Sequence, residues 1–130
     1  MAIIESFLRA NEWIEEGSSW YYTSILKDEK GVALPSTALT TLTLTLYDLM
    51  NATLAIVNSV DKINILNTGR GLVDANGKLD VTLLPADTGI LVASRLYERR
   101  RILLEYTYAS GVKRKRREVN IIVKNLNKVP

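Results

Sequence analysis

Three carboxylates lie close together in the chain and are the first candidates for chemistry: Asp74, Asp80 and Asp87. Two acids set across a sugar ring can hydrolyse a glycosidic bond, one protonating the leaving oxygen and the other attacking or activating water. That reaction also needs a sugar-sized cleft, and nothing around these positions suggests one. Each acid has a simpler reading. Asp74 opens the reversal Asp74-Ala75-Asn76-Gly77, Asp80 takes an outward position on a strand, and Asp87 lies in the first turn of a helix, where the helix dipole favours an acid. The Asp74 loop lacks the dense run of oxygen ligands that calcium sites use. The chain has no histidine and no cysteine. The commonest general base, the commonest metal ligand, thiolate chemistry and disulfides are therefore all absent. No enzyme activity, metal or cofactor is expected.

The second chemical feature is positive charge. Arg99, Arg100 and Arg101 form one cluster, and Lys113, Arg114, Lys115, Arg116 and Arg117 another. Residues 1–98 carry 7 basic and 12 acidic side chains, whereas residues 99–130 carry 10 basic and 2 acidic, so a net charge of +3 conceals a polar molecule. Such a split suits head-to-tail packing of copies or an acidic partner, and it equally suits a solvated strand face balanced by acids elsewhere. Phosphate contacts along a nucleic acid are one use for these clusters; guarding a sheet edge against aggregation is another.

The element that must position both clusters runs from Tyr97 to Val123. Two β-capable segments flank Ala109-Ser110-Gly111, which makes this the longest hairpin in the chain. A turn about Ser110-Gly111 sets Tyr108 opposite Lys113, Glu105 opposite Arg116 and Arg101 opposite Asn120. The two clusters then sit at different ends of the hairpin, roughly 20 Å apart at about 3.3 Å per residue, and alternation sends every second charge to the same face. They are two small patches rather than one groove. Ile102, Leu104, Tyr106, Val119, Ile121 and Val123 read as core.

Upstream, Ile3, Ile4, Phe7 and Leu8 fall at helix-like spacing within residues 2–11. An apolar stripe this short is not stable alone, so it docks either on its own domain or on a neighbouring subunit. Trp20 to Leu26 is aromatic and β-branched, as a strand requires. Lys27 to Gly31 is a polar tip, and Val32 to Pro35 a short edge segment. Leu42, Leu44 and Leu46 alternate with threonines, and this strict period of two predicts a strand with one buried face. Asp48 to Asn51 predicts a turn, Thr53 to Val57 a returning strand, and Ile63 to Leu66 a continuation of the sheet. Asn67-Thr68-Gly69-Arg70-Gly71 has neither phosphate-loop nor dinucleotide spacing and reads as a loop. Leu79, Val81 and Leu83 point inward from the next strand, and Pro85 starts one short crossover helix.

At 130 residues, with 47% hydrophobic and 24% charged side chains, the chain holds one folded domain rather than two, and its composition is not that of a wholly disordered chain. No stretch is long enough to span a bilayer, and Glu5 within the apolar start argues against a signal peptide, so no membrane partner is expected. The fold class is all-β. About seven to nine short strands at roughly 8–12-residue spacing point to an antiparallel β-sandwich of immunoglobulin-like type, with a small barrel as the alternative. The domain covers residues 13–126, preceded by an arm over 1–12 and followed by a tail over 127–130.

Several pieces together carry a resemblance. They are Asp74-Ala75-Asn76-Gly77, Leu79-Asp80-Val81-Thr82-Leu83, Pro85-Ala86-Asp87-Thr88, Leu103 to Tyr108 and Glu118 to Leu126, with Glu15 to Trp20 and Leu26 to Val32 upstream. Over about residues 13–126 this pattern resembles the immunoglobulin-like accessory structural proteins of tailed-phage virions and is similar to the N-terminal domain family of upper baseplate proteins. The resemblance implies a structural role in decorating a capsid, completing the neck or adapting tail parts. It implies other virion proteins as partners, many copies on a lattice or ring, and synthesis in the host cytoplasm before assembly. It transfers no catalytic residues. A nucleic-acid-binding β-domain acting through the two basic clusters is the alternative from another class.

Overall fold

The computed structural model of the chain describes residues 13–68 and 70–126. The proposed arm, with Ile3, Ile4, Phe7 and Leu8, and the tail over 127–130 lie outside them. Eight strands follow in order: β1 (Trp13–Glu15), β2 (Trp20–Ile25), β3 (Leu39–Asp48), β4 (Ile63–Asn64), β5 (Gly71–Val73), β6 (Lys78–Leu83), β7 (Tyr97–Tyr108) and β8 (Lys113–Lys124). They form a five-stranded sheet in the order β1-β8-β7-β3-β4 and a three-stranded sheet in the order β2-β6-β5. The fold is thus the all-β sandwich that the strand spacing predicts.

The period-two signal of β3 is realised directly. Leu42, Leu44 and Leu46 are fully buried, as are Ile102 and Leu104 on β7 and Leu79, Val81 and Leu83 on β6. Each such side chain taken from water contributes about 1.5–3 kcal/mol. Tyr106 is buried with them, and its hydroxyl donates to the Lys27 carbonyl at 2.9 Å, so its one polar atom is not stranded in the core.

Four expectations change. The expected sandwich is antiparallel, but β1 pairs with β8 in parallel, with Trp13 beside Ile122, so it is not wholly so. The expected returning strand over 53–57 is a turn-rich loop that touches β3 through one bridge, Tyr47 with Ile56. Leu54, Asn58 and Ser59 have positive φ there, which no strand ladder accommodates. Val32 to Pro35 likewise makes only an isolated bridge, Ala33 with Lys27. The crossover helix is a single 3-10 turn, Pro85–Thr88, ended where Gly89 returns to extended backbone.

The β5–β6 hairpin turns as its sequence requires. Asp74 Oδ1 accepts the N–H of Asn76 at 2.8 Å and of Lys78 at 2.9 Å. Backbone donation from Lys78, and then from Asn76, holds this carboxyl below the usual aspartate range. Gly77 has φ +81, and a Cβ there would lie 2.9 Å from the Leu34 carbonyl oxygen. Gly77→Ala is expected to destabilise the domain by at least about 1 kcal/mol, since it meets both an unfavourable φ and a backbone contact. Chemical denaturation of the variant measures this.

Candidate functional site

The three acids do not converge. Asp74 caps its hairpin tip, Asp80 lies on the outer face of β6, and Asp87 is fully buried. Asp87 does lie in the first turn of the 3-10 segment, with Oδ2 accepting the Leu84 N–H at 2.7 Å, but burial makes it more than a surface acid. Its Oδ1 accepts from Asn58 Nδ2 at 2.9 Å, and Arg70 pairs with Oδ2. The glycine-rich loop therefore serves packing. Arg70 reaches this buried acid, and a Cβ at Gly71 would lie 2.7 Å from the Ile65 carbonyl oxygen. Among the described residues no group of three metal-ligating side chains lies together.

The β7–β8 register is the predicted one, with Tyr108 opposite Lys113, Glu105 opposite Arg116 and Arg101 opposite Asn120. Alternation then divides each basic cluster. In the first, Arg99 and Arg101 face outward while Arg100 turns in and is fully buried. Arg100 therefore drops out of the expected patch at Arg99–Arg101. Arg101 lies 3.7 Å from Glu118 and donates to Asn120 Oδ1 at 3.3 Å, which leaves Arg99 as the exposed cation of the three.

Arg100 instead organises the loop between the 3-10 turn and β7. Its guanidinium pairs with Glu98 at 2.6 Å and donates to the carbonyls of Asp87 and Gly89. Glu98, also fully buried, accepts the N–H groups of Leu91 at 2.9 Å and Val92 at 3.0 Å. Arg95 adds a contact of 3.0 Å to Glu98 and lies 3.5 Å from Asp48. Burial pushes the Glu98 carboxyl up, but the Leu91 and Val92 N–H groups and Arg100 outweigh it and hold the group below the ordinary glutamate value. The Nε atoms of Arg100 and Arg70 find no acceptor among the described residues. Compensation is thus incomplete, and what the network supplies is a fixed loop path.

The second cluster divides the same way. Lys113, Lys115 and Arg117 face the opposite sheet. Lys113 pairs with Glu29, Lys115 donates to the Asp28 carbonyl at 3.3 Å, and Arg117 donates to Ser24 Oγ and to the Ile25 carbonyl at 3.5 Å. The hydrogen bond from Lys113 lowers the Glu29 pKa, and Glu29 in turn raises that of Lys113. Three cations therefore close the rim where apolar core runs out. Arg114 and Arg116 face outward and share Glu105, at 4.0 and 3.0 Å.

These two arginines form one wall of a shallow trough of about 380 Å³ on the outer face of the five-stranded sheet. Leu103 and Glu105 lie on its floor, with Lys62 and Tyr47 on the far side. Thr41 and Thr107 share a hydrogen bond of 2.6 Å across it. The trough offers hydroxyls, cations and the Glu105 carboxylate as polar contacts.

Removing one member of the buried pair should be costly. Arg100→Met is expected to destabilise the domain by about 3–5 kcal/mol, because it strands the Glu98 carboxylate. Glu98 has a depressed pKa in the folded state. Its contribution is therefore full above the unfolded glutamate value of about 4.3 and is lost as pH falls through the folded value. Glu98→Gln is expected to be less stable at pH 7 and to lose less stability on acidification. Unfolding free energies measured from pH 7 down to about 2.5 check both statements.

No protein-family model, curated protein or solved structure matches this chain.

Proposed function

We propose that the chain is a structural protein of a tailed-phage virion, acting by docking on other virion proteins as a capsid decoration or a head–neck or tail component. The observation that carries the docking part is the fate of the ionisable side chains. Asp87, Glu98 and Arg100 are consumed in fixing a loop, and Lys113, Lys115 and Arg117 in closing a rim. What remains outward is a sheet face and a strand edge, which are surfaces for a partner. The phage assignment rests on the sequence resemblance. The residues that carry it fall on the β5–β6 hairpin, the 3-10 crossover, β7 and β8, and upstream on the turn before β2 and the polar tip after it.

A nucleic-acid reading has less to work with. It needs a continuous cationic path, preferably with exposed aromatics, and of its eight candidate cations Arg100 is buried while Lys113, Lys115 and Arg117 are engaged with the turn at 27–31 and the end of β2. It predicts retardation of DNA or RNA that weakens steeply with salt.

Mass spectrometry of purified particles from the phage that encodes the chain is expected to find it as a multi-copy component. Its absence from particles would overturn the proposal. Deleting residues 1–11, which include Ile3, Ile4, Phe7 and Leu8, is expected to abolish incorporation while the domain still unfolds cooperatively on heating. Normal occupancy by the truncated chain would show that the arm is not the anchor.

A further inference from the structure

The second basic cluster lies on an edge that is unpaired on one side among the described residues. β8 pairs with β7 along its whole length, but on its other side it meets β1 only at Ile122 to Lys124. Over 113–121 no strand lies beside that side among the described residues. An open edge presents alternating N–H donors and C=O acceptors, and the group that answers both is another extended polypeptide.

The charges on this edge are under-matched. Five cations over 113–117 stand against two carboxylates in ion-pair contact with them, Glu29 and Glu105. Lys115 and Arg117 spend their donors on neutral oxygens, which hold the side chains without cancelling their charge. Arg114 and Arg116 are 62% and 61% exposed and already share a single acid.

From this arrangement we infer that the β8 edge over 113–121 receives an extended acidic segment of a partner protein, added as a further strand with its acidic side chains over Arg114 and Arg116. The inference rests on the reading of the chain as a docking protein and names the chemistry of what docks. A second copy of the same edge is disfavoured. Antiparallel pairing of two β8 edges centred on this run would set cation against cation, which is the device by which sheet edges avoid self-association. A nucleic-acid backbone would neutralise the arginines but supplies acceptors alone, and the β8 carbonyls would stay unpaired.

The test uses the full-length chain and a nine-residue peptide alternating threonine and glutamate. Titration calorimetry is expected to show binding that weakens with salt, and hydrogen exchange to slow at amides within 113–121. The double variant Arg114→Glu, Arg116→Glu is expected to lose about tenfold in affinity or more, as two exposed ion pairs become repulsions. Both sites are exposed, and an unchanged unfolding midpoint confirms that the variant folds. A peptide of the same sequence with alternate backbone nitrogens methylated keeps its charge but loses its donors, and is expected not to bind.

Four results would overturn the inference: no binding of the unmodified peptide, equal binding of the methylated one, stronger protection of the same amides by a thymidine oligonucleotide, or slow exchange in the free full-length chain at those amides of 113–121 that point away from β7. The last would mean that the chain's own arm occupies the edge. None of these bears on whether the chain is found in particles, so failure here and failure of the virion assignment can be told apart.

Discussion

A guanidinium without water around it is the constraint from which one whole end of this molecule follows. Arg100 sits on the inward face of β7 at a position that alternation would give to an apolar side chain, and it is fully buried. An isolated buried charge costs several kcal/mol, so the chain must bring oxygen to it. It does so by folding residues 84–96 over the start of β7, where the Asp87 and Gly89 carbonyls and the Glu98 carboxylate meet the guanidinium. The same loop then has amides to satisfy, and Glu98 accepts two of them. Asp87 fixes the loop's beginning through Arg70 and Asn58, and Arg95 ties its end towards Asp48. The connection between the two sheets is held by polar matching rather than by an apolar plug.

The opposite end solves a different problem. There β8 extends beyond the apolar core, and Lys113, Lys115 and Arg117 reach across to the turn at Lys27–Gly31 and the end of β2. Their long aliphatic stems cover the rim while their charged tips find oxygen. The run of basic residues is therefore half structural. Its outward half stands beside a trough on one face and, among the described residues, beside an unpaired stretch of β8 on one side.

Much of the fold was legible in the residues. The alternating leucines of β3, the Asp74–Gly77 reversal and the Ser110–Gly111 turn each specify local geometry through one physical rule. A hairpin's turn fixes its register, so the facing pairs of β7 and β8 followed from the turn alone. The parallel pairing of β1 was not legible, because three residues carry no periodicity and parallel partners are distant in sequence. The failure of the 53–57 strand was hidden for a related reason, as β-branched residues there suit a strand until the loop forces Leu54, Asn58 and Ser59 to positive φ.

The charged residues divide most sharply between the two sources of information. By itself the sequence determined that positive charge gathers in two clusters, that strand alternation splits each of them, and that histidine and cysteine chemistry is excluded. Only the tertiary structure decided which half of each cluster turns toward the rest of the fold. Alternation states that neighbouring side chains point opposite ways, but which way is inward depends on where the second sheet and the 84–96 loop come to lie. Arg99, Arg100 and Arg101 look alike in the chain; a long-range packing decision makes one a buried organiser, one a surface ion pair and one an exposed cation.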